Sequence, residues 1–172
     1  RRIQAGILSW GQDLDHEHNP FQCNLGYQVS LSGKGEWEKK GDYIGKQALE
    51  KMKADLKDGH KPYKLQLVGF EIGGKPIDEY APDFWLVSPG DGGDPCGFIT
   101  SPWYHPEKGK NIAMGYVPFD GTLNANGFPK WELGKKFKVH LPDIYADEPG
   151  VPVDAVTVDV PFTESFNANT RE

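Results

Sequence analysis

The chain contains 172 residues, 37% of them hydrophobic and 26% charged, which is typical of one folded domain or of one domain with part of a second. Its net charge of -6 argues against a nucleic-acid partner, because a protein that binds phosphates needs a basic surface. No apolar run approaches the roughly 20 residues that cross a bilayer, so no membrane partner is expected.

Two cysteines, Cys23 and Cys96, are too few for a disulfide framework. A reducing, cytoplasmic location is the simplest interpretation, and the sequence leaves open whether the two thiols pair. The first residue is Arg1 instead of Met, and the residues after it resemble the inside of an element that has no capping residue. We therefore expect the natural polypeptide to begin earlier.

In chain order, loose alternation of apolar residues predicts a strand over residues 21–31. A helix is predicted over residues 46–57, where Leu49, Met52 and Leu56 share one face and Gly59 follows the end. Beyond residue 61, turn clusters rich in glycine and proline separate six predicted strands, at residues 64–71, 84–87, 97–100, 113–117, 135–140 and 155–160. This pattern predicts a mainly β chain with minor α content, and favours a small antiparallel barrel or sandwich after a boundary near residue 61.

A polar loop contains Asp13, Asp15, His16, Glu17 and His18. Their spacing matches no standard metal motif, and the following Asn-Pro pair is typical of a solvated turn, so we predict an exposed polar loop and no metal site.

Three consecutive residues, Trp103, Tyr104 and His105, are predicted to lie in a loop. Neighbouring aromatic rings there can stack on a flat ligand, or they can close one end of a barrel. The sequence shows no complete set of catalytic residues, since no serine, cysteine or histidine has a recognisable activating partner.

Three segments, in order, carry a family resemblance. The first is R-I-Q-A-G-I-L-S-W-G-Q-D at residues 2–13, which continues into N-P-F-Q-C-N-L-G at 19–26. The second is G-D-Y-I-G-K-Q-A-L at 41–49. The third consists of L-V-G-F-E at 67–71, G-F-I-T-S at 97–101 and G-K-N-I-A-M-G-Y-V at 109–117. Together they resemble the tetrahydrofolate-dependent glycine cleavage T-protein family. The resemblance implies that residues 1–60 belong to the folate-binding α+β region and residues 61–172 form the C-terminal β-barrel.

The same resemblance implies specific roles. Arg2 matches the arginine that meets the glutamate carboxylate of tetrahydrofolate, and Trp10 matches an aromatic position near the cofactor. The alternative is that Arg2 is a surface residue that pairs with Asp13 or Asp15. The catalytic aspartate of the family lies in the N-terminal part, so no catalytic residue is expected in this chain, and that missing part of the enzyme is its expected partner.

Departures from the family pattern bear on the one-carbon donor. Gln4 stands where the glycine-cleavage enzymes usually have Glu, Trp10 where they usually have Tyr, and residues 102–105 replace the usual G-x-x-S. The stretches I-L-S-W-G at residues 7–11 and N-P-F-Q-C at 19–23 resemble more the branch of dimethylsulfoniopropionate demethylase and bacterial aromatic O-demethylases. The resemblance therefore favours a demethylase-like member, which takes a methyl group from a small S- or O-methyl donor, over an aminomethyltransferase. The remaining alternatives are a self-standing barrel that holds a flat ligand with Trp103, Tyr104 and His105, and a purely structural domain.

Overall fold

The computed structural model describes residues 1–29, 31 and 43–162. Within these ranges the chain forms one α-helix, α1 (Lys46–Lys57), and a 3-10 turn at Gly26–Gln28. Six strands follow the helix: β1 (Leu65–Ile72), β2 (Trp85–Pro89), β3 (Gly97–His105), β4 (Lys110–Pro118), β5 (Lys136–Val139) and β6 (Val153–Val158). Among the described residues no helix has the length and hydrophobicity to cross a bilayer.

The six strands close into a barrel in the order β1-β4-β3-β2-β5-β6, and every neighbouring pair is antiparallel. Closure pairs both edges of the sheet, which leaves no open strand edge for pairing with another chain. The predicted mainly β fold with minor α content is confirmed, and the barrel is the correct choice over the sandwich. All six predicted strands are present, with ends that differ by a few residues.

The barrel interior is filled by apolar side chains from every strand. Phe70, Val87, Ile99 and Val139 are fully buried there. The burial of β6 alternates along the strand, as expected where one face packs inward and the other faces outward.

Strand β4 differs because it is buried without interruption from Asn111 to Val117. Its outer face carries Ile112, Met114 and Tyr116, which pack in a second cluster. Ile3 and Leu8 of the N-terminal segment, residues 1–29, belong to the same cluster. The first residues of the chain therefore cover one outer wall of the barrel, and a strand buried on both faces shows a continuous apolar run.

Helix α1 lies on a third cluster. Leu56 is buried, and the partly buried Leu49 and Met52 pack beside it against Phe21 and Phe119. The helix occupies residues 46–57 as predicted, and its apolar stripe contacts both the N-terminal segment and the end of β4.

The strand predicted over residues 21–31 is wrong where the structure describes it. Residues 21–24 form turns, and the 3-10 turn follows at once. Backbone amides here bond locally, from Cys23 to the carbonyl of Asn19 and from Leu25 to that of Pro20, so they are not free to join a sheet. Ser30, within the same prediction, lies outside the described residues.

Candidate functional site

The N-terminal segment meets the barrel at a buried carboxylate. Asp13 is 1% exposed, and its Oδ2 atom accepts hydrogen bonds from the Arg2 guanidinium at 2.6 Å and from the Ser9 amide at 2.8 Å. The Oδ1 atom accepts from the hydroxyls of Thr100 at 2.5 Å and Ser101 at 2.6 Å, both on β3. The predicted exposed polar loop is therefore wrong for Asp13, because four donors compensate its burial.

Arg2 is held along one side of its guanidinium. Nη1 donates to Asp13 and, at 3.0 Å, to the carbonyl oxygen of Ile7, while Nη2 donates to Ser101 Oγ at 2.9 Å. The side chain keeps 35% of its surface exposed. Among the described residues, Nε and one hydrogen of Nη2 have no partner, so two donors remain available.

The two partners weighed for Arg2 from the sequence are thus separated by the structure. Asp13 pairs with Arg2, at a part-buried position instead of on the open surface. Asp15 instead contacts His18 at 2.8 Å, and its carboxylate accepts the Glu17 amide. That backbone hydrogen bond, followed by the one from His18, lowers the pKa of Asp15.

Tyr116 of β4 holds the N-terminal segment on the barrel. Its ring is buried, and its hydroxyl donates to the backbone oxygen of Asp13 at 2.6 Å and lies 3.4 Å from the Cys23 sulfur. Burial raises the pKa of both the Tyr116 phenol and the Cys23 thiol, so both groups remain neutral at physiological pH.

Gln12 supplies a further link between the segment and the barrel. Its amide nitrogen donates to the carbonyl oxygens of Thr100 at 2.7 Å and Ala81 at 3.2 Å, and its oxygen accepts from Tyr80 at 3.0 Å. Sequence reasoning missed Gln12, Thr100, Ser101 and Tyr116 as members of one polar site. Only the resemblance over residues 2–13 gave a signal, and it pointed to Arg2.

Trp10 lies next to this site in sequence and is open to solvent. Its side chain is 70% exposed, and that of Ile7 is 60% exposed. Large apolar groups that are mostly exposed near a part-buried arginine form a surface suited to a ligand or a neighbouring part of the protein.

The three aromatic residues predicted as a possible ligand contact are in β3 and not in a loop. Trp103, Tyr104 and His105 lie opposite Ile112, Asn111 and Lys110 of β4. Trp103 is 39% exposed, whereas His105 is 4% exposed, and its Nδ1 accepts the Lys108 amide at 3.4 Å. The extension of the strand spreads the three side chains over positions of different burial, so they do not present one common binding face.

The polar loop and the two cysteines were the other candidates from the sequence. Among the described residues, no group of three or more His, Cys, Asp or Glu side chains is arranged to hold a metal ion. Cys23 is buried and Cys96 partly buried, and both are free thiols.

Comparison with known proteins identifies the barrel. Residues 66–163 match the family described as the glycine cleavage T-protein C-terminal barrel domain. The chain belongs to the glycine cleavage T-protein family. It is 33% identical over 117 residues to an aminomethyltransferase of Synechocystis, covering 68% of this chain and 27% of that protein. It is 30% identical over 162 residues to the aminomethyltransferase of Thermosynechococcus vestitus, covering 94% and 35%.

A solved T-protein has the same fold. The crystal structure of glycine cleavage system aminomethyltransferase T from Bartonella henselae superposes with a TM-score of 0.64 and 21% identity, over 95% of this chain and 37% of that one. The chain therefore spans about a third of the length of these T-protein relatives, between 27% and 37%. The similarity to the solved structure extends beyond the matched barrel to residues of the N-terminal segment, which carries Arg2.

Proposed function

We propose that this chain is the C-terminal part of an aminomethyltransferase-type enzyme that transfers a one-carbon group to tetrahydrofolate. The family membership of the barrel and the names of the aligned relatives support this activity. The observation that carries it is the state of Arg2, whose guanidinium is anchored on one side and keeps two open donors on a partly exposed side chain.

The residues present fit the carboxylate end of a folate. A carboxylate accepts two hydrogen bonds from a guanidinium, and Arg2 has that number of donors free among the described residues. The contacts with Asp13, Ile7 and Ser101 use three of the five N–H groups of Arg2. The remaining two can donate to a second carboxylate.

Trp10 is proposed to pack against the flat part of the same ligand. Its exposed indole offers an apolar face in the segment that holds Arg2, and burying such a ring against an aromatic ligand is favourable. Tetrahydrofolate, when bound, supplies the amine that accepts the one-carbon group. The residues of this chain bind and orient it, while the catalytic aspartate is proposed to lie in the part of the enzyme that precedes this chain.

The relatives support aminomethyl transfer better than the methyl transfer that the sequence favoured. The aligned proteins named above are aminomethyltransferases. Methyl transfer remains the competing outcome, because Gln4, Trp10 and residues 102–105 depart from the usual T-protein pattern. The two reactions leave different one-carbon groups on folate, and mass spectrometry of the product distinguishes them.

The test uses the full-length polypeptide. We expect an Arg2→Ala variant to show a raised KM for tetrahydrofolate with kcat little changed, because the lost contact contributes to binding and not to the chemical step. A collapse of kcat at saturating tetrahydrofolate would contradict this role. Lys138→Ala, which removes a surface ion pair with Asp154 on the barrel, is the control and should leave both constants unchanged.

Titration of the 172-residue chain alone tests the alternative of a self-standing binding module. If Arg2 and Trp10 form only one side of the folate site, the chain alone binds tetrahydrofolate far more weakly than the full-length enzyme. Equal affinity of the two would show that this chain holds a complete pocket.

A further inference from the structure

The barrel strand that faces Asp13 is irregular at one residue. Ile99 of β3 lies opposite Gly115 of β4, and Ser101 lies opposite Met114, so Thr100 is an extra residue without a partner position. This is a β-bulge, and it interrupts the alternation by which neighbouring side chains of a strand point to opposite faces.

The bulge explains how two consecutive hydroxyls reach the same carboxylate oxygen. Thr100 Oγ1 and Ser101 Oγ both donate to Asp13 Oδ1, at 2.5 and 2.6 Å. In a regular strand one of the two side chains would enter the barrel interior. Both residues are at most 1% exposed, so solvent does not compete for these hydroxyls, and the other acceptor near Thr100 Oγ1, the Met114 carbonyl oxygen, is farther away at 3.1 Å.

Ser101 also contacts the guanidinium directly. Its single hydroxyl proton is donated to Asp13, so the oxygen accepts the hydrogen bond from Arg2 Nη2. The barrel thereby fixes Arg2 twice: once through the Ser101 oxygen, and once through the Asp13 carboxylate, whose orientation Thr100 and Ser101 determine. The two open donors of Arg2 are held in one direction as a result.

We infer that Asp13, Thr100 and Ser101 are positioning residues for tetrahydrofolate, through which the β3 bulge sets the guanidinium of Arg2 against the glutamate carboxylate of the ligand. This inference rests on the proposed function. It assigns the C-terminal barrel a part in ligand affinity through Thr100 and Ser101, whose hydroxyls bond Asp13 and Arg2. Prior orientation of the guanidinium removes the need to order a flexible side chain on binding.

The experiment measures Kd by calorimetry on the full-length enzyme, with tetrahydrofolate and with tetrahydropteroate, which lacks the glutamate. We expect Ser101→Ala and Thr100→Val to raise the Kd for tetrahydrofolate about 3- to 10-fold, which is the effect of about one lost hydrogen bond. The Kd for tetrahydropteroate should not change. Thr100→Ser keeps the hydroxyl and should retain the affinity of the unmodified enzyme.

The control is Ser88→Ala, which removes another buried barrel hydroxyl, one on β2 that contacts His140 at 2.8 Å and neither Asp13 nor Arg2. An equal loss for Ser88→Ala and Ser101→Ala, or equal weakening of both ligands, would overturn the inference. Thermal midpoints measured on the same samples exclude unfolding as the cause, and Thr100→Val, which is nearly isosteric, keeps the test possible if Ser101→Ala is poorly folded.

Failure of the proposed function gives a different result. If Arg2→Ala weakens tetrahydrofolate and tetrahydropteroate equally, or neither, then Arg2 does not bind the glutamate and the proposed role of Arg2 is wrong. If Arg2→Ala selectively weakens tetrahydrofolate while Ser101→Ala and Thr100→Val match Ser88→Ala, the function stands and the positioning inference is wrong.

Discussion

Removing the Tyr116 hydroxyl tests how firmly the N-terminal segment is held on the barrel. In Tyr116→Phe the ring keeps its contacts with Phe98 and His18, at centroid distances of 5.3 and 5.0 Å. The variant loses the hydrogen bond to the backbone oxygen of Asp13 and the weaker 3.4 Å contact with the Cys23 sulfur, and the Asp13 oxygen has no other donor among the described residues. We expect a loss of about 1–3 kcal/mol in the free energy of unfolding, because a buried carbonyl is left unsatisfied.

Urea unfolding of the 172-residue chain, followed by tryptophan fluorescence, measures this loss. The matched control is Tyr80→Phe, since Tyr80 also donates its hydroxyl to the N-terminal segment, at 3.0 Å to Gln12, but is 70% exposed. Water replaces that lost partner, so the control should change stability by less than about 0.5 kcal/mol. Equal losses for the two variants would refute the argument that burial of the acceptor determines the cost.

Further predictions concern the same buried groups. Burial raises the pKa of the Cys23 thiol above its ordinary value of 9.0 and that of the Tyr116 phenol above 10.0. The free energy of unfolding that these two groups contribute is therefore fully present below about pH 9 and decreases as the pH rises further. In Tyr116→Phe this decrease should be less steep. Urea unfolding curves measured at several pH values above about 8 would show the difference. A thiol reagent should modify Cys96 before Cys23, which should react only on unfolding, as peptide mass spectrometry would show. Gly97→Ala should lower the free energy of unfolding by about 3 kcal/mol in urea, because the added Cβ would lie 2.0 Å from the Tyr116 carbonyl oxygen. Gly73→Ala is the control: its Cβ would lie 3.3 Å from the nearest atom, so the loss should be less than about 1 kcal/mol.

The barrel was predictable because its signals are local. Apolar runs between glycine- and proline-rich turns mark each strand, and the helix at residues 46–57 carries its own periodicity. The prediction ended β3 at Thr100, two residues before Pro102, although a proline without an amide hydrogen can still lie within a strand where no hydrogen bond needs it. The strand continues to His105, because residues 101–105, with the proline among them, stay in register with β4.

The prediction over residues 21–31 failed for the opposite reason. Loose alternation is compatible with a strand, but also with a turn that buries Phe21 and Cys23 against other elements. Which one forms depends on partners far along the chain, such as Gln66 of β1, whose amide nitrogen donates to the carbonyl oxygens of Phe21 and Gln22. A sequence window of ten residues contains no information about such contacts.

The site shows the same limit more sharply. Asp13 stands among charged residues, and local composition correctly places His16 and Glu17 in solvent. Whether a carboxylate can be buried depends on the donors that meet it, and two of the four donors to Asp13 are 87 and 88 residues away in sequence. They converge only because one extra residue in β3 turns both hydroxyls to the same side. The resemblance could therefore propose Arg2 as a candidate, whereas the contacts that hold Arg2 depend on the register of two strands.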